Sequence, residues 1–337
     1  MAAVQGRRPW SAARFWAGLA VGSLALVLAA RAVSLDTLVL ALRQVEIPWV
    51  ILTMALSLLA PLLKAQRWRW LFHPTPITLG LGRLSSLIVI GQAVNFLVPG
   101  RFGEVVRTYL TGEETELSKW FVLGTIGAEK LIDLLVLVLL TLALVPFIAL
   151  PETMAAQVDT VLVLGLAVAI GAATLLGGRA LWLRLARAAL RPLPAAMAAR
   201  WLARIEAGLD GLSALANPRA AVAIWGWTAV FWLVAGLTNL CLLVAFGLPA
   251  SPVMALFLLV LLQGGIAVPS TPGKIGVFQW LCMIGLSVFG VPAAVGFAYG
   301  LVLYGIVVGG VTLWAALAVW RRSLDLRSLA GAAAGLE

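Results

Sequence analysis

Residues 121–150 read FVLGTIGAEKLIDLLVLVLLTLALVPFIAL. Three of these thirty positions are charged: Glu129, Lys130 and Asp133. The seventeen residues after Asp133 carry no charge at all. A helix needs roughly 20 apolar residues to cross the hydrocarbon core of a bilayer, so this run is long enough to span. Five more runs qualify, at about 15–33, 47–65, 158–177, 221–246 and 292–320. The whole chain agrees with the runs. Of its 337 residues 62% are apolar and 11% are charged, against about 25% charged in a soluble domain. The expected fold is therefore an all-α polytopic membrane protein.

The formal net charge of +10 would raise nucleic acid as a partner in a soluble chain. Here the basic residues cluster between apolar runs, where they set orientation and meet anionic head groups. No nucleic-acid partner is expected. Cys241 and Cys282 lie within apolar runs and read as small hydrophobes. A lone histidine, His73, cannot build a metal site, so neither metal nor cofactor is expected. The apolar stretch from Phe15 to Ala30 in the first run ends in Ala-Arg-Ala, which resembles a leader cleavage site. We read it as an uncleaved first span.

The charges orient the runs. Arg7, Arg8 and Arg14 put the N-terminus on the cytoplasmic side. Lys64, Arg67, Arg69 and Arg83 mark the next cytoplasmic loop. Segment 178–220 carries seven arginines and lies on the same side, and Arg321, Arg322 and Arg327 place the C-terminus there too. Trp182, Leu183, Leu185 and Trp201 interleave with those arginines. The segment reads either as an interfacial amphipathic stretch or as a basic loop. Trp49, Trp68, Trp70, Trp225 and Trp227 read as interface anchors. The boundaries that follow are a tail at 1–14, one membrane domain at 15–322 and a tail at 323–337, in a multi-pass protein of the cell (cytoplasmic, inner) membrane.

Two regions, 84–111 and 253–290, hold paired short apolar pieces interrupted by Pro and Gly. The first interruption is Pro99-Gly100-Arg101-Phe102-Gly103-Glu104, and the second is Pro272-Gly273-Lys274-Ile275-Gly276-Val277. Both follow the order Pro-Gly-basic-apolar-Gly, and the copies stand 173 positions apart (272 − 99). Charge parity requires each region to begin and end on one side, the two on opposite sides. The expectation is about six full spans plus two oppositely oriented re-entrant helical hairpins, an inverted repeat. Two pairs of thin full spans keep the same parity.

Broken backbone at membrane depth must face protein or a wet cavity. Helix starts offer N–H groups and partial positive charge to an anion. Arg101 and Lys274, with Gly100, Gly103, Gly273, Gly276, Asn95 and Thr271, are the candidate substrate-binding residues. Gln92, Asn95, Gln263, Ser270, Thr271 and Gln279 suit either pocket lining or contacts between helices. Glu129 and Asp133 share a helix face. They read as partners of Arg101 or Arg107, or else as proton carriers, with Glu104 beside them. No G-x-x-x-x-G-K-[ST] loop is present, which argues against ATP-driven pumping.

The stretch Asn95-Phe96-Leu97-Val98-Pro99-Gly100-Arg101-Phe102-Gly103-Glu104 with Arg107 resembles the first signature of the lysylphosphatidylglycerol synthase transmembrane-domain family, also called the flippase-like domain family. Glu129-Lys130-Leu131-Ile132-Asp133 resembles its E-[RK]-x-x-D segment. Pro269-Ser270-Thr271-Pro272-Gly273-Lys274-Ile275-Gly276 resembles its second signature. Lys274 stands where the family usually has Gly, and Gln279 where it often has Glu. The resemblance covers roughly residues 15–322. It implies binding a lipid and moving its head group between leaflets. The family's bifunctional members add a soluble aminoacyl-transferase domain. With residues 323–337 alone after the last run, that enzymatic half is not expected.

The resulting expectation is a translocator or lipid-binding permease for an anionic phospholipid or a polyprenyl-phosphate-linked head group. Two alternatives stay open. One is an integral-membrane lipid-linked glycosyl- or phosphotransferase. The other is a scaffold subunit for a lipid-modifying enzyme. Homo-oligomerisation is left open as well.

Overall fold

The structure is a computed structural model that describes residues 34–97, 102–148, 178–265 and 272–321, with scattered positions between 163 and 177. Every regular element among these residues is helical. Four stretches are long and apolar enough to cross a membrane: Ile47–Leu71, Lys119–Phe147, Pro218–Ala245 and Ala293–Trp320. They coincide with four of the six long runs. The runs at 15–33 and 158–177 lie wholly or largely outside the described residues. With the family match reported below, these helices make the chain a multi-pass membrane protein.

In chain order the helices are α1 (Leu35–Arg43), α2 (Ile47–Leu71), α3 (Leu81–Leu97), α4 (Gly103–Thr115), α5 (Lys119–Leu144), α6 (Arg179–Leu190), α7 (Ala195–Asp210), α8 (Pro218–Ala245), α9 (Pro252–Gly265), α10 (Val277–Ser287), α11 (Ala293–Tyr304) and α12 (Gly310–Trp320). A π-turn, Gly305–Gly309, joins α11 to α12 within one long helix. Segment 178–220 is a pair of helices, α6 and α7, and α7 packs on α5. Trp120 meets Trp201 edge-on there, and Arg204 lies over both rings.

The element order of α2–α5 recurs in α8–α12: a long helix, a short one, a break, a second short one, a long one. The spacing matches the 173-residue offset of the Pro-Gly motifs. Ile47 corresponds to Ala220 in the first turn of α8, and Lys119 to Pro292 at the start of α11. Packing repeats as well. Helix α3 packs on α12 of the other half, and the equivalent α9 packs on α5. The equivalent helices α2 and α8 form the most extensive helix pair, and they run antiparallel. The Glu46 N–H at the start of α2 donates to Ala245 O at the end of α8 over 2.8 Å. Further along α2, Lys64 Nζ lies 4.7 Å from the Phe231 ring of α8.

Two main cores form, one centred in each half, and the first also takes in Ile224 of α8 and Val311 and Ala315 of α12. Trp68, Phe72, Leu84, Ile88 and Ile126 belong to the first. Leu242, Leu258, Cys282, Tyr299 and Leu303 belong to the second. Leu63, Phe231, Trp232 and Leu259 join them. Within each broken region the two arms lie antiparallel. A Cβ on Gly91 of α3 would meet Gly103 and Arg107 of α4, and Asn95 meets Gly103. A Cβ on Gly265 of α9 would meet Leu281 of α10, while one on Gly285 would meet Leu261 and Leu258. The four arms, 11 to 17 residues long, reach only about 16 to 26 Å at 1.5 Å per residue. A bilayer core is about 30 Å thick.

One charge assignment is corrected. Lys64, Arg67 and Arg69 are not in a loop, because α2 continues to Leu71. No Pro or Gly stands between Pro61 and Pro74, so nothing ends the helix where the charges begin. Arg67 is completely buried. Trp68, expected at an interface, is also completely buried.

Candidate functional site at the two chain breaks

At the first break, Asn95 reaches across to the start of α4. Its Oδ1 accepts the Gly103 N–H over 2.7 Å, and its Nδ2 donates to Glu104 Oε2 over 3.0 Å. A helix start has N–H groups with no intrahelical partner, and the Asn95 amide supplies one. Of the two roles expected for Asn95, the contact between helices is the one seen. Gly103 has a packing reason to be glycine. A Cβ there would fall 1.8 Å from Gly91 O, so the arms could not approach. Gly100 and Arg101 lie outside the described residues.

The second break is a tight turn in left-handed backbone. Gly273, Lys274 and Gly276 have φ of 74°, 59° and 87°. Glycine takes such values without penalty, whereas a residue with a Cβ costs about 1–2 kcal/mol there. Lys274 bears that cost, and strained non-glycine residues concentrate at functional sites. Gln279 Oε1 accepts the Gly276 N–H over 2.8 Å. Gln279 therefore does for α10 what Asn95 does for α4. The hydroxyl of Tyr304, at the end of α11, donates to Gly273 O over 2.7 Å. Thr271 lies outside the described residues.

The second break lies beside the end of α3. The Pro272–Lys274 turn packs on α3, and Lys274 Nζ lies 5.6 Å from the ring centroid of Phe96. Phe96 stands three residues before Pro99. A lysine over an aromatic face at this range is a cation–π contact.

A ladder of charges descends from the first break. Glu104, bound by Asn95, also meets Lys130 Nζ at 3.3 Å. Below it Arg107 donates to both oxygens of Glu129, at 2.7 and 3.3 Å. Below that Arg67 donates to both oxygens of Asp133, at 2.6 and 3.1 Å. The Arg67 Nη2 stands 3.7 Å from Glu129 Oε1, so Glu129 sits between two guanidinium groups. The Arg107 guanidinium lies 3.6 Å from the Trp68 ring centroid, and the Trp68 indole N–H donates to Thr125 Oγ1 over 3.0 Å. Ionised groups at membrane depth are tolerated when paired, and bidentate arginine–carboxylate pairs fix geometry as well as charge. The ladder ties α4 to α5 and α5 to α2.

Glu104, Arg107, Glu129 and Asp133 are brought together. Arg67, Trp68 and Tyr304 went unassigned to this region. Arg67 and Trp68 had a signal, the unbroken helical stretch after Pro61. Tyr304 had only its position beside the Gly-rich segment Gly305–Gly310. Among the described residues no three His, Cys, Asp or Glu side chains are grouped to hold a metal ion.

A family model, the lysylphosphatidylglycerol synthase TM region, matches residues 15–320. The chain belongs to this family. No curated protein and no solved structure matches the chain. Membership of the lysylphosphatidylglycerol synthase TM family suggests a membrane lipid-related function. In this member of the family, Glu104 and Arg107 of α4 meet residues 129–133 through the charge ladder, and Lys274 brings the 273–276 segment beside Phe96 of α3.

Proposed function

We propose that the protein binds the anionic head group of a membrane lipid where the two breaks meet and carries it between leaflets. The observation that carries this reading is the placement of Lys274 over Phe96, which sets the second Pro-Gly turn beside the end of α3, the arm that leads into the first motif. Polar, irregular backbone at such a place needs protein or water around it. Lys274 and Arg101 supply the charge that a phosphodiester requires. The short antiparallel arms support re-entrant hairpins. The antiparallel run of α2 and α8 supports halves inverted with respect to the membrane, and the basic residues of the sequence favour cytoplasmic termini in the cell membrane. This is an architecture that places substrate sites at the repeat interface. The charge ladder serves to hold the first hairpin. The protein acts without a catalytic step of its own, on an anionic phospholipid or a polyprenyl phosphate.

The test is leaflet exchange in vesicles containing the full chain and fluorescent phosphatidylglycerol. Exchange should run well above protein-free vesicles. Lys274→Gln should slow it about tenfold, the size of one lost charge-assisted contact. Arg187→Gln, at an exposed arginine of α6 outside the ladder, should change it little. If the unaltered chain fails to accelerate exchange of phosphatidylglycerol or of a polyprenyl phosphate, the transport reading is wrong.

A further inference from the structure

A hollow of about 450 Å³ opens where the start of α3 meets the end of α12. It sits at the far end of α3 from the first break, about 25 Å away along a 17-residue helix. Arg83, Ser86, Trp314, Leu317 and Arg321 line it. Glu114 grips Arg83 through Nε and Nη2. That aims the guanidinium and leaves Nη1 without a bond among the described residues. Arg321 is exposed at the last turn of α12.

Internal repetition supplies a control for this hollow. At the equivalent positions, Arg83, Ser86, Trp314 and Arg321 are replaced by Leu256, Leu259, Thr141 and Ile148. The scaffold therefore does not demand two arginines and a tryptophan here. The hollow carries two arginines and a tryptophan where the equivalent place carries three aliphatic side chains and a threonine bonded within its own helix.

The surroundings select the ligand. Leu313, Leu317 and Trp320 are 64%, 45% and 78% exposed. They fall at i, i+4 and i+7, along one face of α12. Leu317 belongs both to this apolar stripe and to the wall of the hollow. Cationic groups at the end of a span, continuous with an outward apolar stripe, match a phosphate joined to acyl chains. Tryptophan is also the residue type that favours this depth.

We infer that this hollow binds the phosphate of a membrane phospholipid, with an acyl chain laid along Leu317 and Leu313. It is a second lipid site, separate from the breaks, and it stands whether or not the breaks translocate lipid.

The experiment uses the full chain in detergent with dioctanoyl phosphatidylglycerol, bound lipids being counted by native mass spectrometry. Dioctanoylglycerol and inorganic phosphate are separate arms. Arg321→Gln should weaken one binding event about tenfold, the size of one lost charge-assisted contact, with the melting temperature unchanged because Arg321 is exposed. Lys274→Gln should leave that event intact. A phosphatidylglycerol carrying a photoreactive acyl chain should label the peptide 310–320, and Arg321→Gln should remove the label. Equal binding by Arg321→Gln and the unaltered chain overturns the site. Inorganic phosphate binding as tightly as the lipid makes it a free-anion site and overturns the lipid assignment. Dioctanoylglycerol competing equally makes it an apolar groove and overturns the role of the arginines.

Discussion

Where the first half carries Arg67, Glu104, Arg107, Glu129 and Asp133, the second carries Leu240, Val277, Trp280, Val302 and Ile306. The backbone plan is the same in both, and so is the Pro-Gly-basic-apolar-Gly motif. The means of holding each hairpin differ. The first is fastened by ion pairs. The second is fastened by close packing and one tyrosine hydroxyl, while a second tyrosine ties α11 to α8. Gly296 and Gly300 let α11 approach α10 so closely that a Cβ would lie 2.9 Å from the Met283 and Gln279 Cα atoms. Tyr299 donates to Asn239 Oδ1 over 3.1 Å, and Tyr304 donates to Gly273 O. Repetition thus preserves the broken helices and their basic residue, while the supporting chemistry is free to diverge.

The largest expected effect falls on the ion pairs. Glu129→Gln leaves Arg107 and Arg67 without their shared counter-charge. Breaking one partner of a buried pair costs about 3–5 kcal/mol, so thermal stability in detergent should drop sharply. The equivalent truncation Val302→Ala removes two methyl groups from a half-buried site and should cost about 1 kcal/mol. Equal losses at the two positions would erase the distinction between the halves.

The glycines sharpen the same contrast with opposite signs. Gly300→Ala forces a methyl against the backbone of Gln279 and should destabilise by about 1–3 kcal/mol. Its equivalent is Gly127, where a Cβ meets nothing within 4 Å. Gly127→Ala should stabilise by about 0.5–1 kcal/mol, the helical preference of alanine over glycine. A melting curve for each variant decides the sign.

The smallest effect belongs to the hydroxyl over the second turn. Tyr304→Phe removes one neutral hydrogen bond, worth about 1 kcal/mol, and keeps the ring against Phe278. Faster hydrogen exchange should appear at residues 273–276, with residues 103–106 unchanged. If both breaks loosen together, they are not held independently.

Much of the fold was legible because lipid imposes a coarse rule. Long apolar runs must be spans, and Pro-Gly interruptions must fall where chains break. Residues 47–65, 121–150, 221–246 and 292–320 follow that rule. It misled at Lys64–Arg69, where charges at the end of a run look like a loop. There the helix carries on and buries Arg67, because Asp133 and Glu129 wait on another helix. That partner is 66 residues away in sequence, and no local pattern announces it. The Glu129–Asp133 spacing was legible as a shared face, but its partners were only partly so. The roles of Asn95 and Gln279 as caps depend on where the arms meet, which spacing does not fix. The π-turn at Gly305–Gly309 has no sequence rule behind it beyond its glycines.

The claim that the two breaks form one place can be tested in the bilayer. Cys241 and Cys282 are replaced by Ala, and cysteines are put at Phe96 and Lys274. A short bifunctional thiol reagent is then applied to membranes, and the products are mapped by mass spectrometry. The account predicts a peptide joining residues 96 and 274 within one chain. Each cysteine labelled singly but never joined would contradict it.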